Sequence, residues 1–200
     1  MNLEKICSSL RAGTEKLALQ TASQKNLALS AALEEILLQK TAILEANAID
    51  VKKARDNGTP ESLVDRLSLD DKKIAGIADS IRQIISQSDP IGEEVAGWKT
   101  PNGLQIRQIR VPVGVVAIIY ESRPNVTADA FSLSYKSGNA ILLRGSSSAL
   151  NSNKAIVKAI KDGLTKCEFG VPDAIELAPC ESHDEVTEIL TAVGKIDMAL

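Results

Sequence analysis

The chain has 200 residues, is 44% hydrophobic and 24% charged, and carries a formal net charge of -3. That is the composition of a soluble chain that buries a core. It argues against a nucleic-acid partner, because phosphate neutralisation takes clustered Lys and Arg and base stacking takes aromatics, which are only 2% here.

The N-terminus, MNLEKICSSLRAG, places charges where a secretory leader needs an apolar centre. Cys7 falls on an amphipathic helix there, as a small buried hydrophobe. From Gln24 to Gln39 the apolar residues Leu27, Ala28, Ala31, Ala32, Leu33, Ile36 and Leu37 follow the 3.6-residue period. The window LALSAALEEILLQK holds two glutamates and is too short to span a bilayer. A second helix, AILEANAIDVKKARDNG, ends at Asn57-Gly58, and Thr59-Pro60 restarts a short one. Ser68-Leu69-Asp70-Asp71 has the pattern of a capping box opening KKIAGIADSIRQIISQ. These helices read as scaffold. Asp70-Asp71 and Glu93-Glu94 read as helix-start or surface charges.

Asp89-Pro90-Ile91-Gly92 breaks the helical part, and Trp98 to Gly103 contains an Asn-Gly turn. Leu104, Ile106 and Ile109 alternate with Gln105, Arg107, Gln108 and Arg110, as expected of an exposed or edge strand that can pair with another subunit. The pattern then changes. VGVVAIIY is apolar throughout, as in a parallel strand covered on both faces. Pro124 suits the first turn of a helix closed by Ser137-Gly138-Asn139. AILLR is a second buried strand, and Gly145 to Ser148 is a tight loop before another helix. Ile175 to Ala178, SHDEVTEILTAV and KIDMAL complete a β-α-β-α-β-α-β series. The fold class is therefore α/β: a helical N-terminal region (1–98), a β-hairpin (99–112) and a doubly wound parallel sheet (113–200) with right-handed crossovers. Leu200 stands inside an apolar, strand-like run, which reads as a sheet left incomplete and a chain cut short.

In such sheets ligands bind beyond the carboxyl ends of the strands. Two of these ends carry polar residues. At the first, Arg123 suits a carboxylate or phosphate, and Asn125 can donate to an anion or a developing oxyanion. The plainer reading is that Pro124 and Asn125 only start the helix while Arg123 pairs with Glu121. At the second, Arg144, Gly145, Ser146 and Ser147 offer one cation and small hydroxyl residues, suited to a nucleotide phosphate. Here the plainer reading is a βα loop with a serine N-cap. Neither G-x-G-x-x-G nor a P-loop occurs. Cys7, Cys167 and Cys180 have no base nearby in sequence, no C-x-x-C exists, and His183 cannot complete a zinc site. No metal is expected.

The run V-P-x-G-V-x-x-I-Y-E-x-R-P-N-V-T (with one further residue before its Ile), followed by K-x-G-N-A-x-x-L-R-G, resembles the gamma-glutamyl phosphate reductase family of the aldehyde dehydrogenase superfamily. QKNLAL, ESLVDRLSL, GLQIRQIRVPVG and IDMAL resemble it too, so the likeness covers essentially the whole chain but only the N-terminal portion of a family protein. The resemblance implies an aldehyde dehydrogenase-like NADP-binding domain. It implies NADPH-dependent reduction of an acyl phosphate, L-glutamate 5-phosphate, to L-glutamate 5-semialdehyde in proline biosynthesis. It assigns Arg144, Gly145, Ser146 and Ser147 to the cofactor and Arg123, Pro124 and Asn125 to the substrate end, with Asn125 as an oxyanion donor. A serine at 147 and Arg144 favour a 2′-phosphate. The family's nucleophilic cysteine matches none of the three here, so the chain is expected to hold no catalytic residue of its own beyond Asn125 and to be silent alone. The hairpin corresponds to oligomerisation strands, implying a homo-oligomer, and the setting is cytoplasmic, with no membrane or nucleic-acid partner. The other reading is a non-catalytic module that binds nucleotide or assembles subunits.

Overall fold

The computed structural model describes residues 2–179 and 184–200. Five helices come first: α1 (Leu3–Leu17), α2 (Ala22–Leu38), α3 (Lys40–Asp56), α4 (Glu61–Leu67) and α5 (Asp71–Ser86). Then follow β1 (Glu94–Lys99), β2 (Gln105–Ile109), β3 (Val115–Ile119), α6 (Pro124–Lys136), β4 (Ala140–Arg144), α7 (Leu150–Lys166), β5 (Ile175–Leu177), α8 (Asp184–Leu190) and β6 (Met198–Ala199). Short 3₁₀ turns at Ser147–Ala149 and Pro172–Ala174 precede α7 and β5.

Two local expectations change. The cap of α5 is Asp70, whose carboxylate accepts the Lys73 N–H at 2.6 Å. Ser68 instead ends α4, and its carbonyl is held by the Lys73 ammonium at 2.8 Å. The buried stripe of α2 is Ala28, Leu29, Ala32, Leu33 and Ile36, while Leu27 and Leu37 are exposed. The stripe is rotated because α7 sets it: a Cβ at Gly163 would lie 2.5 Å from the Ala31 carbonyl oxygen, so glycine alone lets the two helices approach this closely.

The four strands β5-β4-β3-β6 form one parallel sheet. Its centre, Ala140 to Leu143, is fully buried, which explains the unbroken apolar run. β3→β4→β5 steps one way and β6 returns to the far side of β3. Right-handed crossovers then place α6 and α7 on one face and α8 on the other. α2, α3 and α5 back α6 and α7 as an outer helical layer. α1 packs over β4 and β3, and its Arg11 pairs with Asp197, just before β6, at 2.7 Å. Most helices share one hydrophobic core with the sheet, and Ala54, Val64, Leu67 and Ala149 form a small second cluster under α4. The hairpin β1–β2 pairs only with itself and is exposed on both faces; Glu94 and Glu93 pair with Arg107 and Arg110. Among the described residues, no helix is long and apolar enough to cross a membrane.

Candidate functional site

β3 and β4 are neighbours in register, with Ile119 opposite Arg144. The two polar strand ends therefore meet, and the Tyr120 N–H donates to the Arg144 carbonyl at 3.0 Å. Beyond them opens a cleft of about 490 Å³, lined by Tyr120, Glu121, Ser122, Arg123, Arg144, Ser146 and Ser148. Ala54, Thr59, Leu63, Arg66 and Leu67 from the end of α3 and from α4 form its other wall. Its size is that of a small-molecule site. Three arginines face one glutamate in a chain that is acidic overall. Arg66 and Arg123 have no carboxylate partner among the described residues, so the Arg123–Glu121 ion pair of the plainer reading does not form. Arg123 instead meets Glu121 through backbone, its N–H donating to that carbonyl at 2.8 Å.

The serines are chained. Ser122 Oγ lies 2.6 Å from Ser148 Oγ, which lies 2.9 Å from Ser146 Oγ. Three hydroxyl protons serve two mutual bonds, so one proton remains to donate to a ligand or water. Gly145 is buried behind this chain. A Cβ there would strike the Asn153 amide and come within 3.1 Å of the Tyr120 ring. That ring is itself fixed: Thr127 donates to Asn153 Oδ1 at 3.0 Å, leaving the Tyr120 hydroxyl to donate to Thr127 at 2.7 Å.

The start of α7 is different. Its cap is Ala149, with no side-chain cap of its own. Asp50, buried on α3, takes that place. Its carboxylate accepts from the Ser152 N–H at 2.8 Å, the Ser152 hydroxyl at 2.6 Å and the Asn151 amide at 2.7 Å. Asn47, one turn earlier, donates to the Leu67 carbonyl and to Ser152, and accepts from the Leu69 N–H at 2.7 Å. The helix dipole that would attract an anion here is met by the protein's own carboxylate. An anion in the cleft is left with the arginine and serine side chains.

Of the residues singled out in the sequence, Arg123, Arg144 and Ser146 line the cleft, and Gly145 lies buried against Tyr120 and Asn153. Ser147 is exposed on the 3₁₀ turn and Ser148 lines the cleft in its place. Pro124 is buried at the first position of α6. Asn125 lines a second cleft of about 320 Å³, with Arg66, Ser68, Lys73, Gly76, Ile77, Ser80 and Asp129. Arg66 borders both clefts. Arg66 and Asp129 carried no signal in sequence, because they sit on helices whose polar residues look like any solvated face. Cys7 is buried in α1, where burial pushes its thiol up, and Cys167 caps α7; neither lines either of these two clefts. Cys180 and His183 lie outside the described residues.

No family model matches the chain. The whole chain superposes on a gamma-glutamyl phosphate reductase from Thermotoga maritima with a TM-score of 0.95 and 41% sequence identity, covering 48% of that chain. It superposes on a gamma-glutamyl phosphate reductase from Saccharomyces cerevisiae with a TM-score of 0.90 and 28% identity, covering 50% of that chain. The chain thus spans about half the length of both. A probable aldehyde dehydrogenase from Listeria monocytogenes, at 17% identity and a TM-score of 0.69, shares the fold over 98% of this chain.

Proposed function

We propose, from the likeness in sequence and fold to about half of two gamma-glutamyl phosphate reductases, that this chain supplies the nucleotide side of an NADPH-dependent reductase. The reaction is reduction of L-glutamate 5-phosphate to L-glutamate 5-semialdehyde, a step of proline biosynthesis in the cytoplasm. The observation that carries the reading is the cleft itself: Arg123, Arg144, Ser146 and Ser148 converge beyond β3 and β4.

The donor set fits the cofactor. A dinucleotide phosphate needs hydroxyl donors and an excess of cations over acids, and the serine chain with three arginines against the single Glu121 provides this. Absence of a side chain at Gly145 lets the loop lie flat against Tyr120 and Asn153, so the hydroxyls point outward from a fixed base. With Asp50 neutralising the α7 terminus, Arg144 becomes the main attraction for a 2′-phosphate, and Ser147 adds no repulsion. When bound, the cofactor supplies hydride. This chain's residues hold and orient it, and Asn125, at the second position of α6, offers an amide N–H to a developing oxyanion. No cysteine is among the described residues lining either cleft, so we assign the nucleophile for the acyl phosphate to the part of a family protein that this chain does not match. The exposed hairpin, with unpaired outer edges, suits strand addition to a second copy.

Equilibrium binding of NADPH to the protein and to an Arg144→Ala variant tests the reading. Affinity should fall about tenfold or more in the variant, the worth of a charge-assisted contact, with thermal stability unchanged. Equal affinity in both proteins rejects the assignment. NADPH binding with no reductase activity in the full assembly would favour the non-catalytic module, for which the lack of a cysteine in the cleft speaks.

A further inference from the structure

The second cleft contains a carboxylate that has no ion-pair partner among the described residues. Asp129, half-buried on α6, accepts from the Ser80 hydroxyl at 2.7 Å and from the Asn125 amide at 3.3 Å. It has no Lys or Arg within ion-pair distance among the described residues. Two neutral donors hold the carboxylate in place without neutralising it, and a partly buried anion gains from a cation. The same cleft is lined by Arg66, a cation with no carboxylate partner among the described residues, and by Lys73, whose ammonium is taken up by the Asp65 and Ser68 carbonyls. Opposite unmatched charges therefore face one space of about 320 Å³.

Gly76 supplies an independent sign that this space is kept open. It sits inside α5, away from the ends, and lines the cleft. Its backbone does not require glycine, and a Cβ there would meet nothing within 4 Å. A mid-helix glycine weakens a helix relative to alanine, and no packing contact explains it. What its missing side chain does is leave room.

We propose that Asp129 is a specificity-determining residue that receives the α-ammonium of an amino-acid substrate, with Arg66 receiving the α-carboxylate. The inference rests on the reductase reading and deepens it. An amino acid whose head group lies between Asp129 and Arg66 directs its side-chain acyl end toward Asn125, which lines the same cleft and hydrogen-bonds Asp129. Ser80 is a positioning residue, aiming the carboxylate through its 2.7 Å bond. A dicarboxylate lacking the amine would leave Asp129 uncompensated and is discriminated against for that reason.

The test uses equilibrium binding of L-glutamate and of glutarate, which has both carboxylates and no ammonium, with NADPH binding as a parallel readout. L-Glutamate should bind about tenfold or more tightly than glutarate. Asp129→Asn should erase that preference, and Gly76→Leu should abolish binding of both acids by filling the cleft. NADPH affinity should stay unchanged in both variants, which also shows that they are folded. A wild-type protein that binds NADPH but does not prefer L-glutamate, an Asp129→Asn variant that keeps the preference, or tight L-glutamate binding to Gly76→Leu each overturns the Asp129 assignment and leaves the reductase reading standing. Binding of neither NADPH nor L-glutamate overturns both.

Discussion

Two sides of the start of α7 hold the same kinds of residue and do opposite things. On the inner side, Asn47, Asp50 and Ser152 are buried and matched donor to acceptor. On the outer side, Ser122, Ser146 and Ser148 share fewer bonds than they have protons, and Arg66 and Arg123 stand beside them with no carboxylate partner among the described residues. Polar residues near a helix terminus thus do not mark a ligand site. What marks it is bonding capacity that the fold leaves unfilled. The saturated side holds the outer helices on the sheet. The unsaturated side depends on it, because α3 and α4 carry the far wall of the cleft.

Breaking the saturated side should have the largest effect. Asp50→Ala strands the Ser152 N–H and hydroxyl and uncaps α7, at about 2–3 kcal/mol. In a chain of this size that lowers Tm by about 5–10 °C, measurable by calorimetry, and NADPH affinity falls with it as the wall loosens. An unchanged Tm would show that the network is not what anchors α3. Next comes the unsaturated side. Ser148→Ala removes the middle hydroxyl of the chain; NADPH affinity should drop about threefold while Tm stays within error. A drop in Tm instead would place the serine chain among the structural bonds and blur the contrast.

The smallest effect is at the sheet edge, where partners are matched yet wet. Asp197 accepts from Arg11 at 2.7 Å and from the Val115 N–H at 2.7 Å. The Arg11 bond, against the opposing effect of burial, holds this carboxyl below its ordinary value, helped by Val115. A group whose pKa is depressed by folding stabilises the fold above its unfolded value, near 3.9, and that contribution vanishes as pH falls through the folded value. Both side chains are about a third exposed, so solvent screening keeps the effect under about 1 kcal/mol. Hydrogen-exchange protection factors, taken relative to the intrinsic rate at each pH, should fall at the Leu200 and Ile119 amides, which bond across β3 and β6, on acidification toward pH 3, and less so in Arg11→Gln. Equal acid sensitivity in the variant would remove Arg11 from the account.

Much of the architecture is legible along the chain. The switch from a 3.6-residue period to an unbroken apolar run at Val113, the proline at the head of α6 and the Asn-Gly turn are local signals, and β3, α6 and the hairpin turn form at them, although the hairpin's first strand begins at Glu94, inside the stretch read as helical. Arg123 and Arg144 could be placed together because a parallel pair must bring consecutive strand ends to one edge. The rotation of the α2 stripe could not be read, because Ala and Leu crowd its circumference and Gly163, far along the chain, decides which face is inside.

By itself, then, the sequence determined the order of elements, the parallel sheet and the strand ends that carry charge, since periodicity and chain breakers act over a few residues. Tertiary structure decided which polar groups are spent. Asp50 reaches the start of α7 across 102 residues, and Arg66 and Asp129 meet over a cleft built from α4, α5 and α6. Saturation of a hydrogen-bonding group depends on partners distant in the chain, and no local pattern encodes such a pairing.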